Sequence, residues 1–427
     1  MAEPPEQRSV PLAALRQRNF ALYAAARLCA SMAMMMINAI ILWQVYEISG
    51  SALNLALVGI TRLVPTVSIS LIGGAFADSH NRRFIVMTAQ LAAIAASATL
   101  LTTTAQGVIN LPIIYAVVFC LSAASSFENP ARQALVPQVV TSQAFAGAIV
   151  VNSTVQSLGF VSGSALGGVI LGEFSIEAAY GTHIGLLCGS LALLALLRPR
   201  PFEGPRRSFS FESIKEGVSF VARRQVLIGA MALDMFAVIF GGAQALLPIY
   251  AKDILEVGGR GYGLLLSSMN AGALLMAIIL IFVPQIHRAG RALLTTVAVF
   301  GILTVLFGIS RNFYLSLAIY MSIGMADQVS VVLRQTVIQL ATPDELRGRV
   351  SSVSQIFIGA SNQLSAAGFI ASVTTATFAV VSGGLGTLAV VGVVAKKLPE
   401  LRRYRIEPAA AEGGGDSKQE SVTPAAG

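Results

Sequence analysis

Charge is scarce in this chain: 12% of its 427 residues are charged while 55% are hydrophobic, about half the charged share of an ordinary soluble domain. Too few polar side chains remain to cover a water-facing surface, so lipid is the expected solvent for most of the molecule. Cysteine and histidine are rare as well, with three of each. Cys29, Cys120 and Cys188 lie inside apolar runs without the spacing of metal ligands and read as packing residues. His80, His183 and His287 are scattered, so no metal site is expected. The methionines at 32, 34, 35 and 36 have no cysteine or histidine beside them and suit adaptable packing better than thioether ligation. The chain shows no Walker loop, no Gly-x-Gly-x-x-Gly after a strand and no hydrolytic constellation. It is therefore not expected to be an enzyme or to need a cofactor, and it has no room for the nucleotide domain of an ATP-driven pump.

What the sequence does hold is apolar length. A hydrocarbon core of roughly 30 Å takes about 20 helical residues, and twelve runs of that order begin near Phe20, Leu53, Phe84, Asn110, Ala144, Tyr180, Gln225, Tyr262, Ala292, Phe313, Ser351 and Thr374. They are too long and too uniformly apolar for barrel strands, and open strands cannot satisfy their backbone in lipid. The expected fold is an all-α integral membrane protein of twelve transmembrane helices in two six-helix bundles related by pseudo-twofold symmetry. The bundles are expected at 1–197 and 225–397, joined by a cytoplasmic linker at 198–224, rich in proline, serine and basic residues. A small, polar tail closes the chain at 398–427 and is expected to be partly disordered, from Pro408 onward. The opening MAEPPEQRSVPLAALRQRN lacks the short apolar core of a cleaved signal peptide.

Lysine and arginine give the orientation, because positive loops stay in the cytoplasm. With the N-terminus inside, the inner segments hold Arg8, Arg16, Arg18, Arg82, Arg83, Arg132, the basic run from Arg198 to Arg224, Arg288, Arg291, Arg347, Arg349 and the tail. Only Lys252, Arg260 and Arg311 fall outside. The net charge of +8 thus records membrane topology, with both termini cytoplasmic, and does not imply nucleic-acid binding.

Charges inside the spans are the functional candidates, since each costs about 2.5 kcal/mol or more near the bilayer centre unless it meets a partner or a wet cavity. They are Arg27, Arg62, Asp234 and Asp327, with Glu128 and Arg334 nearer the cytoplasmic ends. Arg27, Asp234 and Asp327 are expected at similar depths, roughly 10 to 14 Å from that end at about 1.5 Å per residue. A carboxylate there, Asp234 before Asp327, is the expected proton carrier, with Arg27 as its electrostatic partner; the alternative is a buried charge pair that holds helices in register. Tyr23 and Phe236 are expected to line the substrate cavity.

Two further patterns organise the chain. The segment RQALVPQVVTSQAFAGAIVVNS from Arg132 aligns with RQTVIQLATPDELRGRVSSVS from Arg334 when one residue is skipped at Pro137, matching Gln138 to Gln339 and Gly147 to Gly348. Both copies follow the fourth span of their six, as expected of a transporter with two similar halves and a substrate site between them. The other is GGAFADSHNRRFIV in the loop after the second span, which resembles the signature of the major facilitator superfamily at Gly74, Ala77, Asp78, Arg82 and Arg83. Asn81 stands where that signature commonly has glycine or an acid. The resemblance implies a conformational latch in which Asp78 pairs with basic groups across the bundle interface. Its counterpart PQIHRAGRALL has no aspartate, so the latch is asymmetric.

RQRNFALYAAARL, NPARQALVPQVV, LDMFAVIFGGAQALLPIYAKDIL and MADQVSVVLRQTVIQLATPDELRGRVSSVSQIFIGASNQL resemble the drug and siderophore exporter branch of that superfamily, over nearly the whole chain. In the fifth span Gly159, Gly163, Gly167 and Gly168 resemble the antiporter motif associated with export, although Ser164 replaces its proline; close helix packing accounts for the same glycines. After SNQL, where relatives often carry an acid, this chain continues SAAGFIAS. The resemblance implies a secondary active transporter of a bacterial cytoplasmic membrane that exports a siderophore or amphipathic drug by alternating access, with protons as coupling ion. Two other readings stay open: an importer or carrier of an iron chelate or metal, and a transport-inactive membrane scaffold or sensor.

Overall fold

In the computed structural model, which describes residues 11–200, 211–283 and 286–405, twelve helices are long and apolar enough to cross a membrane. They are α1 (Arg18–Ser49), α2 (Ala52–Ser79), α3 (Arg82–Ala105), α4 (Leu111–Val139), α5 (Phe145–Glu173), α6 (Ile176–Leu196), α7 (Gln225–Ile254), α8 (Gly258–Phe282), α9 (Ala289–Ile309), α10 (Phe313–Leu340), α11 (Arg349–Val373) and α12 (Ala376–Lys397). Apolar composition sets their interiors, and polar side chains set many of their ends. Asn81, Asn110, Ser175, Asn312 and Thr375 each accept hydrogen bonds from backbone N–H groups of the first turn of α3, α4, α6, α10 and α12, satisfying donors that the helix itself leaves orphaned. Gly50, at φ 58°, takes the left-handed conformation that ends α1 and lets α2 start two residues later.

Two spans are interrupted. α7 leaves regular α-helix at Gly241–Gly242 and finishes in 3-10 and π turns, and α11 breaks at Leu364–Ser365. The segment expected as plain linker contains a helix, Phe211–Ala222, which packs on α11. Its Glu216 is ion-paired with Arg349, and Val221 joins Leu227, Met231, Ile338, Val350 and Val353 in one apolar cluster. An apolar residue at every third or fourth position (Phe211, Ile214, Val218, Val221) is sufficient cause for that amphipathic helix. The tail from Pro408, expected to be disordered, lies outside the described residues.

Odd-numbered spans run away from the termini and even-numbered ones return, so each helix has an end proximal to the termini and one distal to them. α1 to α6 pack together, as do α7 to α12, and the halves meet chiefly through α5 with α8 and α2 with α11. These meetings are distal. A Cβ on Gly168 of α5 would overlap the Gly263 backbone of α8, and one on Gly59 of α2 would overlap the Gln363 carbonyl of α11; bare glycine backbones are what permit the approach. Around them Trp43 stacks on Tyr262 at 5.4 Å, the Tyr262 hydroxyl donates to the Ala39 carbonyl at 3.3 Å, and Tyr46 donates to Asp253. A single apolar cluster spans the junction from Ala39 and Trp43 to Leu246, Phe307 and Tyr320.

Candidate functional site

Each half carries a buried arginine near the proximal end of its fourth helix. Arg132 precedes the end of α4 by seven residues and Arg334 precedes the end of α10 by six; they are 2% and 3% exposed. Because these are the residues matched by the internal repeat, the repeat is present in three dimensions as well as in sequence. Their carboxylates come from different places. Arg334 is ion-paired with Asp234 of α7, whereas Arg132 is ion-paired with Glu128, one turn back on its own helix.

The N-terminal cluster is the larger. Gln90 of α3 donates from Nε2 to Glu128 Oε1 at 3.2 Å and to Ser190 Oγ of α6 at 3.0 Å, Ser190 donates to the Ala26 carbonyl at 3.0 Å, and the Tyr23 hydroxyl donates to the Arg132 carbonyl at 3.1 Å. Arg27 stands beside these groups with Arg132, Tyr23 and Glu128 as electrostatic neighbours.

The expected meeting of Arg27 with Asp234 does not occur, because Asp234 takes its cation from Arg334 on a helix of its own half. Arg27 and Asp234 each lie nine residues into their helices, about 14 Å from the proximal ends, but α10 continues to Leu340 and lifts Asp327 to about 20 Å. Asp327 and Arg62 form no ion pair among the described residues. Arg62 has Tyr262 as electrostatic neighbour, Tyr262 has Tyr320, and Tyr320 has Asp327. Two phenols thus neighbour, in turn, a cation from one half and an acid from the other. On α2, Arg62 shares a face with Gly59, which abuts Gln363, and with Thr66, which approaches Gly359 at 3.6 Å from a Cβ built there; that face is turned to α11.

Tyr23, expected to line the cavity, is 1% exposed and spent on packing: it stacks with Phe20 at 6.2 Å and its hydroxyl is bonded to α4. Phe236 is 38% exposed and stacks with Phe240 at 6.2 Å. The glycine row serves two partners. Gly159, Gly163 and Gly167 receive Ser31, Met32 and Met36 of α1, and Gly168 receives α8. Met36 is buried and Met34 is 43% exposed. In the expected latch, Arg82 donates to the Ala134 carbonyl at 2.9 Å and Arg83 to the Ala195 carbonyl at 2.6 Å, both within the N-terminal half; the side chain of Asp78 and the surroundings of Gly74 lie outside what the structure describes.

A cavity of about 10 Å³ lies between the halves, lined by Met35, Asn38 and Leu42 of α1, Ser164 of α5, Gln244 of α7 and Tyr262 of α8. That is room for about one water molecule, consistent with the closed distal junction above it.

Sequence reasoning missed Arg132 as a buried residue, counting it with the loop charges, and gave Glu128 little weight. The signal was present: Glu-x-x-x-Arg at i, i+4 within an otherwise apolar run marks a pair able to bury itself on one helix.

Twelve spans in two packed halves, each with a buried arginine pair, are the frame of a major facilitator transporter. Solved structures agree: a mutant form of the nucleoside transporter NupG superposes with a TM-score of 0.72 at 9% identity over 88% of this chain and 98% of its own. A bacterial homologue of the human lysosomal transporter Spinster, in an inward-facing and unoccupied conformation, gives 0.67 at 12% identity over 94% and 97%. The chain belongs to the transmembrane secretion effector family, whose profile matches residues 9–413, and within the superfamily to the branch that includes drug and siderophore exporters. It is 26% identical over 377 residues to the multidrug efflux pump Tap of Mycolicibacterium fortuitum, covering 84% of this chain and 90% of Tap. It is 26% identical over 259 residues to the enterobactin exporter EntS of Escherichia coli O1:K1, covering 59% of this chain and 61% of EntS. It is a transporter and not an enzyme.

Proposed function

We propose that this chain exports a small organic molecule, a siderophore or an amphipathic drug, by alternating access driven by inward proton flow across a bacterial cytoplasmic membrane. Both termini then face the cytoplasm, and bundles 1–197 and 225–397 rock about the seam, with 198–224 as the strap between them. The observation that carries the reading is Asp327: an acid on α10, next to Ala326 of the apolar cluster that spans the junction and about 20 Å from the proximal end, with no cation paired to it among the described residues. A carboxyl group in such a place exchanges its proton when the seam opens to water on one side and then the other. Asp234 has a permanent partner in Arg334, so of the two expected carriers Asp327 takes the role and Asp234 holds α7 to α10. The relatives' export of drugs and enterobactin supports the direction of transport.

Substrate flux into inside-out vesicles, with a proton gradient imposed and then collapsed, tests this. Asp327→Asn is expected to keep wild-type levels of folded protein and downhill exchange but to lose gradient-driven accumulation. Full uphill transport by that variant refutes the assignment.

A further inference from the structure

The charges of the N-terminal cluster do not balance. α1 and α4 bring Arg27 and Arg132 together, and among the described residues the one carboxylate beside them is Glu128. Glu128 is already engaged by Arg132 and by Gln90 Nε2 at 3.2 Å. Arg132 Nη1 and Arg27 Nε are covered by protein and have no hydrogen-bond partner among the described residues. The two terminal nitrogens of Arg27 also meet no acceptor there, yet they are absent from the covered set, so they reach accessible surface. Arg334 in the C-terminal half also has covered nitrogens without a hydrogen bond, Nε and Nη1, but there the charges balance one to one: Asp234 neutralises Arg334, and Ser330 occupies the place on α10 that Glu128 occupies on α4. The N-terminal cluster therefore holds an uncompensated guanidinium, about 14 Å inside the proximal end, with its terminal nitrogens not covered by protein. Such a cation inside a membrane protein calls for an anion, and a planar guanidinium accepts a carboxylate, sulfonate or phosphate through paired hydrogen bonds.

We propose that Arg27, backed by Arg132, anchors the anionic group of an amphipathic organic anion. Glu128 serves as the internal counter-charge that keeps Arg132 from competing for the ligand, and the surplus charge of Arg27 selects anions over neutral molecules of the same shape. This names the substrate class of the transporter proposed above and rests on that reading for its physiological meaning; the binding itself needs no gradient and no turnover.

Two fluorescent probes share one apolar skeleton and differ in charge: 1-anilinonaphthalene-8-sulfonate and N-phenyl-1-naphthylamine. Each is titrated into the full-length protein in nanodiscs of zwitterionic lipid, with empty discs subtracted. The wild type is expected to show a saturable sulfonate site that Arg27→Gln weakens about tenfold, the loss of one charge-assisted contact worth about 1.4 kcal/mol. Arg27→Lys is expected to retain most of that affinity, and the neutral probe to bind both variants like the wild type, with thermal unfolding unchanged. Absence of a saturable sulfonate site, wild-type sulfonate affinity in Arg27→Gln, or equal losses for both probes overturns the proposal. So does saturable binding of the tetraphenylphosphonium cation that Asp327→Asn abolishes, when the sulfonate shows none. Because these are binding measurements, a failure of proton-coupled flux leaves their outcome standing.

Discussion

The two halves bury the same arginine and balance it in opposite ways. At the ninth residue beyond its start, the first helix of the N-terminal half carries Arg27 and that of the C-terminal half carries Asp234. One turn before the fourth-helix arginine stand Glu128 and Ser330 respectively. In the C-terminal half the counter-charge crosses between helices and ties α7 to α10. In the N-terminal half it comes from the same helix, and the first helix is left with a cation of its own. Repetition has kept the arginine and its depth while the acid changed address. The difference teaches that a closed pair and an open charge can occupy matching places in one molecule.

Breaking the closed pair is expected to give the largest effect. Asp234→Asn leaves Arg334 buried at 3% exposure without its counter-charge, and removing one partner of a buried pair costs about 3–5 kcal/mol. The folded yield and the melting temperature in detergent should fall sharply. Adding Ser330→Glu to that variant rebuilds the N-terminal arrangement on α10, an acid one turn before the arginine, and should recover much of the loss. Wild-type stability of Asp234→Asn, or no recovery in the double variant, would mean that the two halves do not solve the same problem.

The spans themselves were legible because lipid demands an uninterrupted apolar length, and roughly six turns of such sequence leave little choice of structure. Most predicted starts fall within four residues of those observed, as at Gln225 and Phe313. The pairing of charges was not legible, for a geometric reason. Sequence position gives depth along a helix, which placed Arg27 and Asp234 level with each other, but it gives no rotation about the axis and no choice of neighbour. Asp234 accordingly found Arg334 on an adjoining helix of its half, a residue read as lying near a helix end. The helix Phe211–Ala222 was not legible because its short apolar period sits beside a run of prolines and arginines that has the composition of a linker.

A second comparison sets packing inside the halves against packing between them. Gly163 fits against Met32 of the same half, whereas Gly168, just over one turn further along α5, meets the backbone of Gly263 in the other half. Gly168→Leu adds bulk where no flexible side chain can give way, a change that costs about 1–3 kcal/mol in a well-packed site. The halves are expected to part at the distal end while each stays folded, so a cysteine at Gln244 should become reactive toward an impermeant thiol reagent added from the distal side. Unchanged labelling, with unchanged stability, would show that the α5–α8 junction does not govern access.

The smallest effect is expected where charge joins the halves at the surface. Arg260 and Glu173 lie 3.4 Å apart at the distal end, with side chains 67% and 52% exposed. Water screens such a pair and its long side chains lose freedom in making it, so exposed pairs contribute about 0–1 kcal/mol. Glu173→Gln should leave the melting temperature within error of the wild type, and any change in distal labelling of the Gln244 cysteine should be severalfold at most and vanish as salt rises, since about 10 Å of screening length at 0.1 M leaves little for an exposed contact to exert. The same charge type thus spans the full range of consequence in one chain, from Asp234, where the partner is sealed from solvent, to Glu173, where solvent can replace it. A loss of stability at Glu173 matching that at Asp234 would place the energy of this fold in its distal surface charges and undo the distinction between closed and open pairs on which the assignment of Arg27 depends.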